Sequence, residues 1–229
     1  CRTSILNKMM APARITFGFA CLLGLFRTAE AQVPAANLHR SDSVRRTLGE
    51  LKSGKDMALA YFMIANDYAS YRTDSAVANG ERAIALLERD GPDSLSAHIN
   101  SILVEQLYAL GELWRSMQHA YKAERYFLAH GDSAALVDLH NSMGNNLKRQ
   151  GAWEQAIGYY RPNVTAAMRA NMLDVKAYSF MNLGECFLAL NMLDSALYYE
   201  ERAESLMAEI GLAYQGGPFT RLGRIHARL

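Results

Sequence analysis

The strongest constraint on this chain is a register of forty residues. It is clearest from Ala177 to Ala203, where Phe180, Leu183, Phe187 and Leu190 recur at three- and four-residue steps and mark one helix face. Asn191 follows as a turn, and a second apolar series begins at Ala196, Leu197 and Tyr199 and runs to Ala203. Asp194 or Ser195 is expected to cap that second helix, because a short oxygen-bearing side chain can accept a backbone N–H there. Steps of forty carry the turn at Asn191 back to Gly151, Gly111 and Tyr71. The same steps connect Ala196 with Ala156, Ser116 and Ala76, and Ala203 with Asn163, Ala123 and Ala83. One hairpin cannot bury its own apolar face, so units in a common register predict a stack of hairpins and an all-α fold.

These residues resemble the tetratricopeptide repeat. Leu183-Gly184, Phe187, Ala196 and Ala203 match its pattern best, followed by Met143-Gly144, Gly151, Ala156 and Tyr160. The resemblance covers about Met57 to Leu229 and implies a right-handed α-solenoid of antiparallel helix hairpins. The usual period is about 34, so forty implies helices lengthened by nearly a turn each. Armadillo and HEAT repeats have periods near forty too, but the spacing from Leu-Gly to Gly to Ala favours the tetratricopeptide pattern.

On this register the units are 57–96, 97–136, 137–176 and 177–216, with 217–229 as the first helix of a truncated fifth. The first two are degenerate: Ile64 and Val104 replace the first-helix Gly, and Asn79-Gly80 falls inside a second helix. Pro162 falls inside the second helix of the third unit, where it removes a hydrogen bond and predicts a kink or a split. Gly216-Gly217 reads as a turn between repeats. Ahead of the repeats, 32–56 is expected to hold a loose linker, Gln32 to Arg40, and a short helix from Ser41 to Leu51 capped by Ser41 or Asp42.

Residues 1–31 read as a secretory signal peptide. Lys8 and Arg14 precede an apolar run from Ile15 to Phe26, and Ala29-Glu30-Ala31 fits a small-x-small cleavage site. The run is shorter than the ~20 residues needed to span a bilayer. Acylation at Cys21 is disfavoured because Leu22 to Phe26 are still apolar. Cys1 is not an initiator, so Met9 or Met10 is the expected start, with 1–8 untranslated. An exported protein, periplasmic or secreted, is therefore expected. Beyond the expected cut only Cys186 remains, which leaves no intrachain disulfide and suggests a buried structural thiol.

The formal charge is +1 over 229 residues, and about −2 for residues 32–229, so no nucleic-acid or anionic-membrane footprint is expected. The histidines, His39, His98, His119, His130, His140 and His226, show no metal-ligand spacing, and no glycine-rich phosphate loop follows a strand. No catalytic residue, metal or cofactor is expected. Asn163-Val164-Thr165 fits a glycosylation acceptor only as a short motif.

The resemblance implies a binding groove lined by first-helix side chains outside the core. Carried over by position, the first two units supply Tyr61, Ala65, Tyr68, His98, Ser101, Glu105 and Tyr108. The third supplies Asp138, Asn141, Asn145, Lys148 and Arg149, and the fourth supplies Tyr178, Met181, Glu185 and Leu188. Tyrosine offers contact area at low entropic cost and Asn can bond a peptide backbone. A clamp for a terminal carboxylate would need basic residues where Tyr178 and Asn182 stand, so none is expected. The expected function is a non-enzymatic, exported scaffold that binds a protein or peptide. The alternative is the N-terminal sensory region of a longer membrane-bound signalling protein, a histidine kinase or transcription regulator.

Overall fold

A computed structural model describes residues 35–88, 93–212 and 223–228, with side chains from residue 41. The predicted signal peptide and Gly216-Gly217 lie outside the described residues. Helix α1 spans Ala35–Thr47 and runs into a short 3-10 turn, Leu48–Glu50. Four helix pairs follow: α2 (Gly54–Tyr68) with α3 (Thr73–Leu87), and α4 (Ser94–Leu110) with α5 (Leu113–His130). Then come α6 (Ser133–Arg149) with α7 (Trp153–Arg169), and α8 (Leu173–Ala189) with α9 (Leu193–Glu209). Among the described residues there is no strand, and each helix packs on the next. The architecture is an α-solenoid of antiparallel hairpins.

Half of the forty-residue register was hidden. Backbone in the left-handed region recurs every twenty residues, at Gly111, Gly131, Gly151, Asn171, Asn191 and Gly211, with φ between 57° and 81°. After each of these, the next residue donates its N–H to the carbonyl five residues earlier. Glu112 donates to Leu107, Asp132 to Phe127, Ala152 to Leu147, Met172 to Ala167, Met192 to Phe187 and Leu212 to Met207, at 2.8 to 3.0 Å. This Schellman geometry satisfies carbonyls that a helix end leaves open, and Gly or Asn tolerates the backbone it needs. The same turn thus serves within hairpins and between them. Tyr71 is different: its N–H and that of Arg72 both donate to the Tyr68 carbonyl, at 3.1 and 2.8 Å, and no left-handed residue is used.

Several local expectations are corrected. The first helices begin at Gly54, Ser94, Ser133 and Leu173, three or four residues ahead of the expected unit starts, because each turn ends sooner than the apolar pattern begins. Helix α1 includes 35–40, so Ser41 is interior and fully buried rather than a cap. At α9 the N-cap is Met192, with no side-chain bond; Asp194 lies in the first turn, where its charge meets the positive helix end instead. Helix α7 is not split at Pro162. Pro162 and Gly158, whose carbonyl loses its partner, are both exposed, so water can serve that carbonyl.

The small-residue positions of the register are the packing contacts. Ala76, Ser116, Ala156 and Ala196 are all 0% exposed, as are Ala83, Ala123 and Ala203. Around them Phe127, Tyr160, Leu183 and Phe187 form the main core with Met143 and Val104. Ile225, in the helical turn 223–226, is also buried in that core. At Gly144 a Cβ would stand 2.5 Å from the Tyr160 ring, and at Gly80 one would stand 2.8 Å from Leu103. Glycine is required there for close approach. The Gly80 that costs helix propensity is repaid by the seat it gives Leu103.

The array bends toward its first helices. Contacts join α2 with α4, α4 with α6, and α6 with α8, while no pair of successive second helices meets to a comparable extent. The first helices therefore form an inner wall, and the second helices an outer one.

Substituting Gly144→Ala is expected to cost about 1–3 kcal/mol through overpacking against Tyr160. Gly158→Ala, where a Cβ meets nothing within 4 Å, is expected to stabilise by about 1 kcal/mol through helix propensity. Urea unfolding of the two variants checks both signs; equal effects would contradict the packing assignment.

Candidate functional site

The inner wall is built from α4, α6 and α8, and one offset organises it. Glu105 accepts from Ser142 Oγ at 3.4 Å, Asn182 Nδ2 donates to Asn145 Oδ1 at 3.3 Å, and Lys148 Nζ donates to Glu185 Oε2 at 2.7 Å. Each of these pairs is 37 residues apart. Neighbouring first helices are thus shifted by about one turn, and polar rows run diagonally across the wall.

The central row is the most tightly tied. Lys148 Nζ also donates to Asn182 Oδ1 at 2.8 Å, and Asn182 Nδ2 approaches Asn141 Oδ1 at 3.5 Å. From behind, the buried Tyr160 hydroxyl donates to Asn145 Oδ1 at 2.7 Å. Asn145 therefore accepts twice, while its own Nδ2 has no acceptor among the described residues. Lys148 is 17% exposed and Glu185 39%, so this ion pair is partly shielded from water. Such a row is held in place before any ligand arrives.

Beside it lies an acidic region. The Asp138 carboxyl is pushed up to about 6, first by burial and then by the Glu105 and Asp174 charges. Glu105 is also raised by desolvation, opposed by the Ser142 hydrogen bond. Glu105 has open surface, yet its carboxyl is crowded by surrounding protein; a concave wall produces that combination. Among the described residues no cation forms an ion pair with Glu105, Asp138 or Asp174.

Of the residues singled out from the sequence, the structure brings Glu105, Asn141, Asn145, Lys148 and Glu185 onto this wall. Asn141 is 1% exposed and takes part through Asn182. Arg149 reaches back to α4, with NH1 donating to the Tyr108 carbonyl at 2.6 Å and the guanidinium 5.0 Å from the Tyr108 ring centroid. Tyr178 and Met181 are half-buried and pack with Ala177, Leu206 and Met207 toward the end of α9. Three other positions serve packing. Tyr68 is 1% exposed in a core with Val44 and Ile64, because α1 covers it, so it lines no open wall. Tyr61 packs against Ala58 and Leu87, and His98 sets its ring edge-on to Phe127 at 5.3 Å with Nδ1 held by the Ser94 carbonyl. Ser142, Asn182 and Asp174 were not singled out as wall residues. The 37-residue offset would have found Ser142 and Asn182, but it requires knowing how far neighbouring helices slide.

Cys186 is buried, and burial pushes its thiol up to about 12, so it carries no reactive thiolate. Among the described residues no cluster of His, Cys, Asp and Glu could hold a metal ion, and no helix is long and apolar enough to cross a membrane.

Asp138 is expected to make stability pH-dependent. The folded state holds its proton more tightly than the unfolded chain, so its contribution favours folding at low pH and is lost as pH rises through about 6. Asp138→Asn is expected to match the parent below pH 4 and to exceed it by roughly 1 kcal/mol at pH 7, allowing for solvent screening. Chemical denaturation at both pH values tests the sign.

No family model and no curated protein matches the sequence. Solved structures share the fold. The apo form of RapI superposes with a TM-score of 0.68 at 17% identity, covering 75% of this chain and 63% of that one. A Rap protein complexed with Competence and Sporulation Factor gives 0.59 at 18% identity, over 74% of this chain and 48% of that one. A Podosopora anserina kinesin light chain with nearly identical TPR-like repeats gives 0.63 at 16% identity, over 80% and 90%. The chain spans less than two thirds of either Rap structure. With hairpins, turns and superposition in agreement, the fold of this chain is that of a tetratricopeptide-like helical repeat protein.

Proposed function

We propose that this chain is a non-enzymatic scaffold that binds an extended protein segment or peptide along the wall formed by α4, α6 and α8. The carrying observation is the Lys148–Asn182–Asn145 row, which is fixed by hydrogen bonds yet leaves the Asn145 Nδ2 donors unspent. An extended backbone presents a carbonyl that these donors can meet, and the prepaid order of the row lowers the entropic cost of binding. The carboxyl groups of Glu105 and Asp138, which meet no cation among the described residues, give the same wall an acidic side. The Rap protein of similar fold, solved with Competence and Sporulation Factor, supports a ligand-binding reading by likeness of fold alone.

Panning a displayed random-peptide library against the full chain tests the proposal. Selected peptides are expected to lose at least tenfold in affinity with Asn145→Ala or Lys148→Met, about 1.4 kcal/mol or more. Binding that survives both substitutions, or that disappears only with outer-wall changes, would refute it.

A further inference from the structure

The outer wall departs from its own pattern at α5. Trp114, Tyr121 and Leu128 are 75%, 54% and 60% exposed and stand seven residues apart, in a line about 21 Å long. Scattered exposed apolar residues are ordinary, but these three share one helix face. The register supplies an internal control. Forty residues earlier, on α3 and its C-cap, the same positions hold Asp74, Glu81 and Glu88; eighty later, on α9, they hold Asp194, Glu201 and Ala208. The other second helices mostly solvate this face with charge, and α5 fills it with large apolar groups.

The complement to that face lies on the same chain. On α3, exposed Ala78 and Ala85 sit between the acidic residues and form a shallow surface. On α5, exposed Lys122 and Arg125 flank the apolar line, and no described carboxylate pairs with either. Large side chains with basic flanks thus stand next to small side chains with acidic flanks. Arg82 on α3 is drawn aside, with its guanidinium 5.9 Å from the Tyr61 ring centroid. Arg115 ties the two helices together through Glu81 and Glu112.

We propose that two copies of this chain pair through this face, about a two-fold axis between α3 and α5, so that each α5 lies antiparallel on the α3 of the other copy. One operation then covers both apolar lines and brings Lys122 and Arg125 toward carboxylates. Pairing α5 with α5 would instead set bulk against bulk and cation against cation. The helices meet as ridges on a shallow groove, in the manner of a four-helix contact. The inner wall stays open in such a dimer.

Sedimentation velocity of the full chain over a wide concentration range tests this. The mass is expected to double as concentration rises. Tyr121→Glu with Leu128→Glu is expected to return it to the monomer, and so is Ala78→Arg with Ala85→Arg, with helical circular dichroism unchanged. Mixing the two variants restores a dimer, since one contact is then wild-type and the other sets Glu against Arg. The single exposed exchange Lys122→Glu weakens the parent dimer by at least tenfold. A parent chain that stays monomeric overturns the proposal. So does a dimer that survives the alanine substitutions, which would mean α5 pairs with itself. Binding of a monomeric chain to phosphatidylglycerol vesicles, lost with the Tyr121 and Leu128 changes, would assign the face to a membrane and overturn it as well.

Discussion

Close approach of helix backbones at small residues is the constraint on which everything else depends. Ala76, Ala156 and Ala196 have no exposed surface, and Gly144 has no room for a methyl group beside Tyr160. Where the small residue is fixed, the large one opposite it is fixed too, and the hairpin has one packing. The Schellman turn every twenty residues then sets the phase of the next helix. Two local rules, repeated, are enough to bring the first helices together on one side and spread the second helices on the other.

Function is left to what that packing does not use. A first helix spends two of its faces on its hairpin partner and on its neighbours, and the remaining strip becomes the inner wall. On that strip the chain has put amides, one lysine and several carboxylates rather than apolar groups. Water remains in competition for every contact there, so recognition depends on order already present in the wall. The Tyr160 hydroxyl shows how the core contributes: it belongs to the buried packing, yet it fixes Asn145 from behind. The outer wall follows the opposite economy. Most of its exposed register positions are charged, which makes the apolar line on α5 conspicuous.

The fold was legible because it rests on periodicity, which needs no knowledge of distances. The small-residue positions of the register are buried as packing requires, and the resemblance drawn from Leu183-Gly184, Phe187 and Ala196 led to the observed architecture. The turns between hairpins are not legible in the apolar series, because Gly131, Asn171 and Gly211 fall outside it. Pro162 leaves its helix unsplit because the missing hydrogen bond faces water, which helix propensity alone does not show. The wall was legible in part. Of the residues that the resemblance implies, Glu105, Asn145, Lys148 and Glu185 lie on this wall, but Tyr68 is covered by α1, and no spacing rule announces a helix packed from outside the repeat. Asn182 stands where a carboxylate clamp would need a cation, yet its two-sided amide is what links Lys148 to Asn145.

The most direct measurement is amide hydrogen exchange on the full chain, with and without a peptide selected against it. Added protection is expected within 94–110, 133–149 and 173–189, with the helices at 113–130 and 153–169 unchanged. Protection centred on the outer helices, or spread evenly over both walls, would contradict the assignment of the inner wall as the surface that binds.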